Sequence, residues 1–328
     1  MQRIKRFDWA NVLAMLCVVW FHIPSALEMP IRYMEYIAVN VSFFLLAGYS
    51  FSLSGTEQRT FGTLLRHQGS RLVRPTLVFY GFFYLLWLVV GKRLAGDAAE
   101  WYAPVVELLT GNFSLVLATY WFVVCLIGLQ ILHYMLHRLI KPPHVRAFVC
   151  GLLPAVTLFV GDIAYYRLSS VLLFLPFFAL GSLCSLAVSP SVRWRNAACV
   201  VLGLLLYFVL TRLFAATPTY SPTDALWGVG LCGLVCALSH GLTGWSSGER
   251  WMHTLRYGAL ILLATQNYII GVTKVLLDKI TQEPDFLAHH FALKPIVLLL
   301  VYLVTLPIIH LVHRHCPQIL GRSGAAKR

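Results

Sequence analysis

An all-α, polytopic integral membrane protein of about ten transmembrane helices, with both termini cytoplasmic, is the fold class this sequence predicts. Three observations predict it. Of its 328 residues, 59% are hydrophobic and only 12% are charged, a composition that a soluble domain of this length does not have. Ten apolar stretches, at 9–27, 35–54, 73–91, 119–137, 147–161, 168–188, 195–214, 223–242, 257–277 and 295–313, approach the roughly 17–25 residues that cross about 30 Å of hydrocarbon. With the N-terminus in the cytoplasm, 18 of the 26 Lys and Arg residues fall in cytoplasmic segments, whereas ten of the 13 acidic residues fall outside. That asymmetry is the positive-inside rule. The fifth stretch is short and leaves nine spans as the alternative count; the charge alternation favours ten.

The first stretch follows Arg3, Lys5 and Arg6, yet it is too long for a secretory signal core, lacks a small-residue cleavage pattern and precedes further spans. It reads as a membrane helix. The formal net charge of +13 is accounted for by cytoplasmic loops against anionic lipid headgroups, and no basic tract with interleaved aromatics calls for nucleic acid. Within this helix, Asn11 and His22 are eleven residues apart, which returns to within about 20° of one face after about 16 Å of rise. A titratable side chain in a membrane-length apolar segment is costly and points to function. His22 is therefore the leading candidate, in the outer half of the helix, as a base for a hydroxyl proton near neutral pH. The bland reading is a histidine hydrogen-bonded to a neighbouring helix.

Asn40 enters the second stretch from outside at a depth expected to be similar to that of His22, and Gly48 permits close helix approach or access for a substrate. The third stretch is entered through Arg66-His-Gln-Gly-Ser-Arg71-Leu-Val-Arg74-Pro75. Arg71 and Arg74 project from neighbouring parts of one helical face, with Pro75 suited to a first turn. Such guanidinium forks suit phosphates, although a solvated loop that sets only topology is the equal alternative. The outer loop 92–118 contains Glu-Trp-Tyr-Ala-Pro-Val-Val-Glu-Leu-Leu, expected as a short interfacial helix with Trp101 and Tyr102 at headgroup level.

His133 and His137, spaced i,i+4 at the inner end of the fourth stretch, lack the Glu of a zinc-protease motif and any evident third ligand. With Arg138 they are expected to form an interfacial basic surface, as are His310, His313, Arg314 and His315. No metal site is expected. The eight cysteines lie mostly within spans without a close Cys-x-x-Cys pair and read as small buried hydrophobes. On the outside, Asp162, Tyr165, Tyr166 and Arg167 form one short turn, and Asp278, Glu283 and Asp285, with His289 and His290, form another. Carboxylates and tyrosines of this kind suit carbohydrate hydroxyls, but ordinary surface residues have the same composition. No linker or internal repeat divides the chain, so one membrane domain, 1–328, is expected.

Several of these segments together resemble the integral-membrane acyltransferase type 3 family, which includes bacterial O-acetyltransferases of surface glycans. The resemblance rests on Arg6-Phe-Asp8-Trp-Ala-Asn-Val-Leu-Ala-Met-Leu-Cys-Val-Val-Trp-Phe-His22, on Phe43-Phe-Leu-Leu-Ala-Gly48-Tyr49 and on Arg71-Leu-Val-Arg74-Pro75. Weaker echoes are Tyr120-Trp121-Phe122, Phe177-Phe-Ala-Leu-Gly181 and Ala264-Thr-Gln-Asn-Tyr268. Asn11 stands where many members have Arg or Lys, Ala47 where a Ser is usual, and Gly271 where many have His.

The resemblance implies an O-acyltransferase of the bacterial cytoplasmic (inner) membrane, moving an acyl group, usually acetyl, from cytoplasmic acyl-CoA to a hydroxyl of a cell-surface, exported or lipid-linked polysaccharide. It implies His22 as general base or transient acyl carrier. Arg71, Arg74 and Arg66 would hold acyl-CoA, and Asp8, Asn11, Asn40, Tyr49, Trp121 and Tyr268 would support the site or contact substrate. The expected partners are membrane lipid, acyl-CoA as co-substrate with no permanently bound cofactor, a saccharide acceptor that comes to the membrane, and glycan-assembly proteins. Two other readings remain open. A transporter of a small anion or glycan-related solute would line its path with intramembrane His and Asn; a noncatalytic partner of polysaccharide export would tolerate Asn11 and Gly271.

Overall fold

The structure is a computed structural model that describes residues 5–26, 29–91, 100–184, 189–214, 216, 220–245 and 248–320. Arg3, the start of the 92–118 loop and the basic residues at the C-terminus lie outside these. Helices make up nearly all of the described chain, and no strand is present among the described residues. Nine helical stretches there are long and apolar enough to cross a membrane: Ile31–Leu53, Phe61–Val89, Ala118–Leu139, Pro143–Val160, Tyr165–Leu183, Pro190–Leu213, Pro222–Gly244, Ala259–Thr281 and Phe291–His315. They match the second to tenth predicted stretches.

The first, α1 (Lys5–His22), is 18 residues long and carries Lys5, Arg6 and Asp8 in its first turn. It ends five residues before the predicted boundary because Pro24 follows, where a helix interior would lose its hydrogen bond. The short fifth stretch reaches full length in the other direction. Pro143 occupies the first helical turn, where a missing N–H costs nothing, so the helix begins ahead of the apolar run.

The remaining helices are α2 (Met29–Leu53), α3 (Phe61–Gln68), α4 (Arg74–Leu86), α5 (Ala103–Thr110), α6 (Trp121–Leu139), α7 (Pro143–Leu152), α8 (Val156–Val160), α9 (Leu168–Leu183), α10 (Pro190–Leu213), α11 (Pro222–Gly241), α12 (Glu249–Tyr257), α13 (Ala259–Thr281), α14 (Phe286–His289) and α15 (Lys294–His315). Helix α5 forms in the segment expected as a short helix, with Trp101 and Tyr102 exposed just ahead of it. The chain groups into two compact units, one from Met1–Val39, Gly69–Ala95 and Gly233–Arg328, the other from Asn40–Gln68 and Gly96–Cys232.

In the first unit α1 packs against α12, α13 and α15, and α13 packs against α15 and α4. The Oγ1 atoms of Thr265 and Thr305 are 3.1 Å apart between α13 and α15, a polar contact suited to helices with no apolar force between them in lipid.

The second unit is built around α9, in which 12 of 16 residues are buried. Its backbone meets that of α2 at two glycines. A methyl group on Gly48 would collide with the Phe178 carbonyl, and one on Gly181 with the Leu45 carbonyl. Gly48 therefore serves close helix approach, one of the two roles its position allowed. Helices α7 and α10 meet the same way through Gly151 and Gly203.

Candidate active site

Helix α1 is fixed at both ends. At its start, buried Asp8 accepts a charged hydrogen bond from Arg256 Nη1 at 2.8 Å, Lys5 pairs with Glu249, and Trp9 stacks on Trp245 at 5.6 Å. Near its other end Trp20 meets Phe291 edge-on at 5.7 Å, and beyond it the Ala26 amide donates to the Ala288 carbonyl at 2.8 Å. His22, the last helical residue, lies about 24 Å along the axis from Arg6 on a rise of 1.5 Å per residue.

The His22 ring is half-buried, with Phe21 edge-on at 5.4 Å. Its Nδ1 is 2.7 Å from the Val18 carbonyl. A carbonyl has no proton to give, so Nδ1 carries the hydrogen and, in the neutral ring, Nε2 is the nitrogen with the lone pair. This is the tautomer that a base acting through Nε2 needs.

Asn11 does not substitute for a cation on the same stripe. Its amide nitrogen donates to the Phe7 carbonyl at 2.8 Å, a bond within its own helix. Tyr268, on α13, stacks on Phe83 of α4 at 4.4 Å. Because α13 touches both α1 and α4, the helices that carry His22, Tyr268 and Arg74 share one bundle. Arg71 lies in a π-helical turn, Gly69–Val73, and Arg74 opens α4 with Pro75 behind it; both side chains are exposed. A methyl group on Gly271 would meet no atom within 4 Å among the described residues.

The other candidates belong to the second unit. Arg66 is exposed on α3, Asn40 is buried, Tyr49 is half-buried on α2, and Trp121 opens α6 edge-on to Phe122 at 6.0 Å. Phe122 in turn packs against Phe43 and Phe44. The aromatic run of the second stretch is thus a packing surface.

A family model described as an acyltransferase domain, that of the acyltransferase type 3 family, matches residues 4–314. The chain belongs to the acyltransferase type 3 family. No curated protein and no solved structure matches it. This membrane acyltransferase has features that the sequence reading did not foresee. Lys294 is 1% exposed, with Nζ 5.2 Å from the Trp20 ring and 5.3 Å from the Phe291 ring. A buried lysine thus lies beside Trp20 near the end of α1.

His133 and His137 do not form a basic surface with Arg138. His133 is buried, with Nε2 3.3 Å from Glu57 Oε1, and His137 Nδ1 lies 3.9 Å from Glu57 Oε2. Arg138 donates instead to the Arg59 carbonyl at 2.7 Å and the Tyr134 hydroxyl at 3.1 Å. Burial would raise the Glu57 carboxyl, but the His133 hydrogen bond and the nearby charges of His133, His137 and Arg146 outweigh it and hold the carboxyl below its ordinary value. Among the described residues no group of three or more His, Cys, Asp or Glu side chains is arranged to hold a metal ion. Two of the outer acidic residues are also engaged: Lys274 bridges Asp278 at 3.3 Å and Asp285 at 2.8 Å.

Proposed function

We propose that this membrane acyltransferase is an O-acetyltransferase, moving an acetyl group from cytoplasmic acetyl-CoA to a hydroxyl of an exported or lipid-linked polysaccharide in the bacterial cytoplasmic membrane. The observation that carries the reading is the His22 ring, whose proton is committed to Val18 and whose Nε2 is left as the basic nitrogen.

In this mechanism Nε2 takes the acceptor hydroxyl's proton as that oxygen attacks the thioester carbonyl carbon. The carbon–sulfur bond breaks, and the proton passes to the departing CoA thiolate. If His22 instead carries the acyl group, the same Nε2 attacks the thioester carbonyl first, the carbon–sulfur bond breaks and CoA leaves as thiolate; the acceptor oxygen then attacks the acyl carbon, the bond to Nε2 breaks, and the hydroxyl proton passes by way of the released imidazole to the CoA thiolate. Arg71 and Arg74 supply exposed guanidinium groups for the CoA phosphates, and Tyr268 and Lys294 supply donors on helices that meet α1.

The test uses purified protein in lipid with acetyl-labelled acetyl-CoA and a panel of lipid-linked sugars. Label in the saccharide fraction supports the reading. Solute uptake with no acylated product would favour a transporter and contradict it.

A further inference from the structure

The unit formed by residues 40–68 and 96–232 contains a cavity of about 340 Å³ whose lining includes none of the residues assigned above to the proposed transfer. That volume lies within the range of small-molecule sites, about 300–1,000 Å³. Its polar wall includes Glu57, His133, His137, Arg146 and Asn196 with three serines, Ser52 among them; Ala147, Ala179, Leu183 and Val200 supply apolar surface. Ser52, His133 and His137 come from the C-terminal parts of α2 and α6, Arg146 from the first turn of α7 and Asn196 from the second turn of α10. All of these helix ends adjoin segments that the distribution of basic residues assigns to the cytoplasm.

Buried polar groups are ordinarily hydrogen-bonded, and here several are not. Asn196 is 3% exposed and its Oδ1 has no partner among the described residues; Nδ1 of His133 is likewise buried without one. Arg146 gives one N–H to the Ile140 carbonyl at 3.2 Å and has no carboxylate within 4.0 Å among the described residues. Glu57, the one acid of the lining, is already engaged by His133. Beside the Glu57–imidazole pairs, the wall therefore presents a guanidinium fork with no carboxylate within 4.0 Å among the described residues and an amide that can turn either its oxygen or its nitrogen inward. A guanidinium in this state is complementary to a carboxylate or phosphate oxygen pair.

We propose that this cavity is a cytoplasm-facing binding site for a small organic anion, whose carboxylate or phosphate group lies against Arg146, His137 and Asn196 and whose short apolar body lies against Ala147, Ala179 and Val200.

The test is thermal unfolding of the purified full-length protein in lipid nanodiscs, titrated with sodium butyrate or sodium phosphate at fixed ionic strength, with sodium chloride as control. At least one anion is expected to raise the midpoint saturably. Saturation by butyrate alone assigns a carboxylate site, and by phosphate alone a phosphate site. Arg146→Gln is expected to weaken that binding at least tenfold and Asn196→Ala severalfold, whereas Arg146→Lys retains part of it. Where Arg146→Gln does not fold, the Asn196→Ala and Arg146→Lys pair decides. A response to both anions no greater than to chloride, or saturation unchanged in Asn196→Ala and the folded Arg146 variants, overturns the proposal.

Discussion

The Nδ1 atom of His22 donates to the main-chain carbonyl of Val18 at 2.7 Å. The donor and acceptor are one helical turn apart, so α1 itself selects the tautomer. In a membrane helix this bond also satisfies one of the two ring nitrogens, lowering the cost of a polar side chain there. In the neutral ring the other nitrogen keeps its lone pair. Asn11 likewise bonds within its own helix, through its amide nitrogen.

Asp8 and Arg256 fasten the start of that helix. Asp8 is 2% exposed, whereas the Arg256 side chain is about one third exposed, so the pair is worth less than a fully buried one. Asp8→Ala is expected to destabilise the protein by about 1–3 kcal/mol, since it strands a partly buried guanidinium. Thermal unfolding of Asp8→Ala, Arg256→Ala and the double variant measures the coupling. Strictly additive losses would sink this account of the anchor.

Gly48 and Gly181 make the closest approach in the second unit. Gly48→Ala places a methyl group against the Phe178 carbonyl, main chain that cannot rotate away. The expected loss is about 1–3 kcal/mol, typical of overpacking, read as a lower unfolding midpoint. An unchanged midpoint contradicts the packing.

Arg71 tests the acyl-CoA end of the proposal. A charged hydrogen bond to phosphate is worth about 1.5–3 kcal/mol, so Arg71→Ala is expected to raise the apparent KM for acetyl-CoA roughly tenfold or more, with little change in kcat. Initial rates at varied acetyl-CoA decide. A fall in kcat at constant KM places Arg71 elsewhere in the cycle.

Glu57 gives a pH dependence with a definite sign. Its carboxyl is held below the ordinary value of 4.5, so its stabilising contribution is present above that value and is lost as pH falls through the lowered one. The wild-type midpoint is expected to drop on acidification below about 4.5, where proton uptake leaves His133 and His137 without their counter-charge. Glu57→Gln is expected to be less stable at neutral pH and to lack this part of the acid limb. The same acid slope in both proteins contradicts the assignment.

The spans were legible because lipid demands long apolar helices, and the second to tenth fall where hydropathy puts them. Boundaries shifted where proline chemistry intervened, at Pro24 after α1 and at Pro143 before α7. What the sequence did not disclose are pairings across long separations. Lys5 and Glu249 are 244 residues apart, and nothing local to His133 signals that Glu57 lies beside it. The i,i+4 spacing of His133 and His137 was visible; its third member depends on where the Thr56–Gln58 turn folds. His22 stood out in the sequence for a different reason, as a polar residue in an apolar helix, where such a side chain is costly.

The central claim is that Nε2 of His22 serves the transfer. The most direct measurement is acetyl transfer from labelled acetyl-CoA to the saccharide by wild type and His22→Ala, each reconstituted in lipid and matched for folded protein by unfolding midpoint. Loss of general-base or nucleophilic catalysis is expected to lower kcat by about 10²- to 10⁴-fold. Transfer by His22→Ala at the wild-type rate contradicts the mechanism.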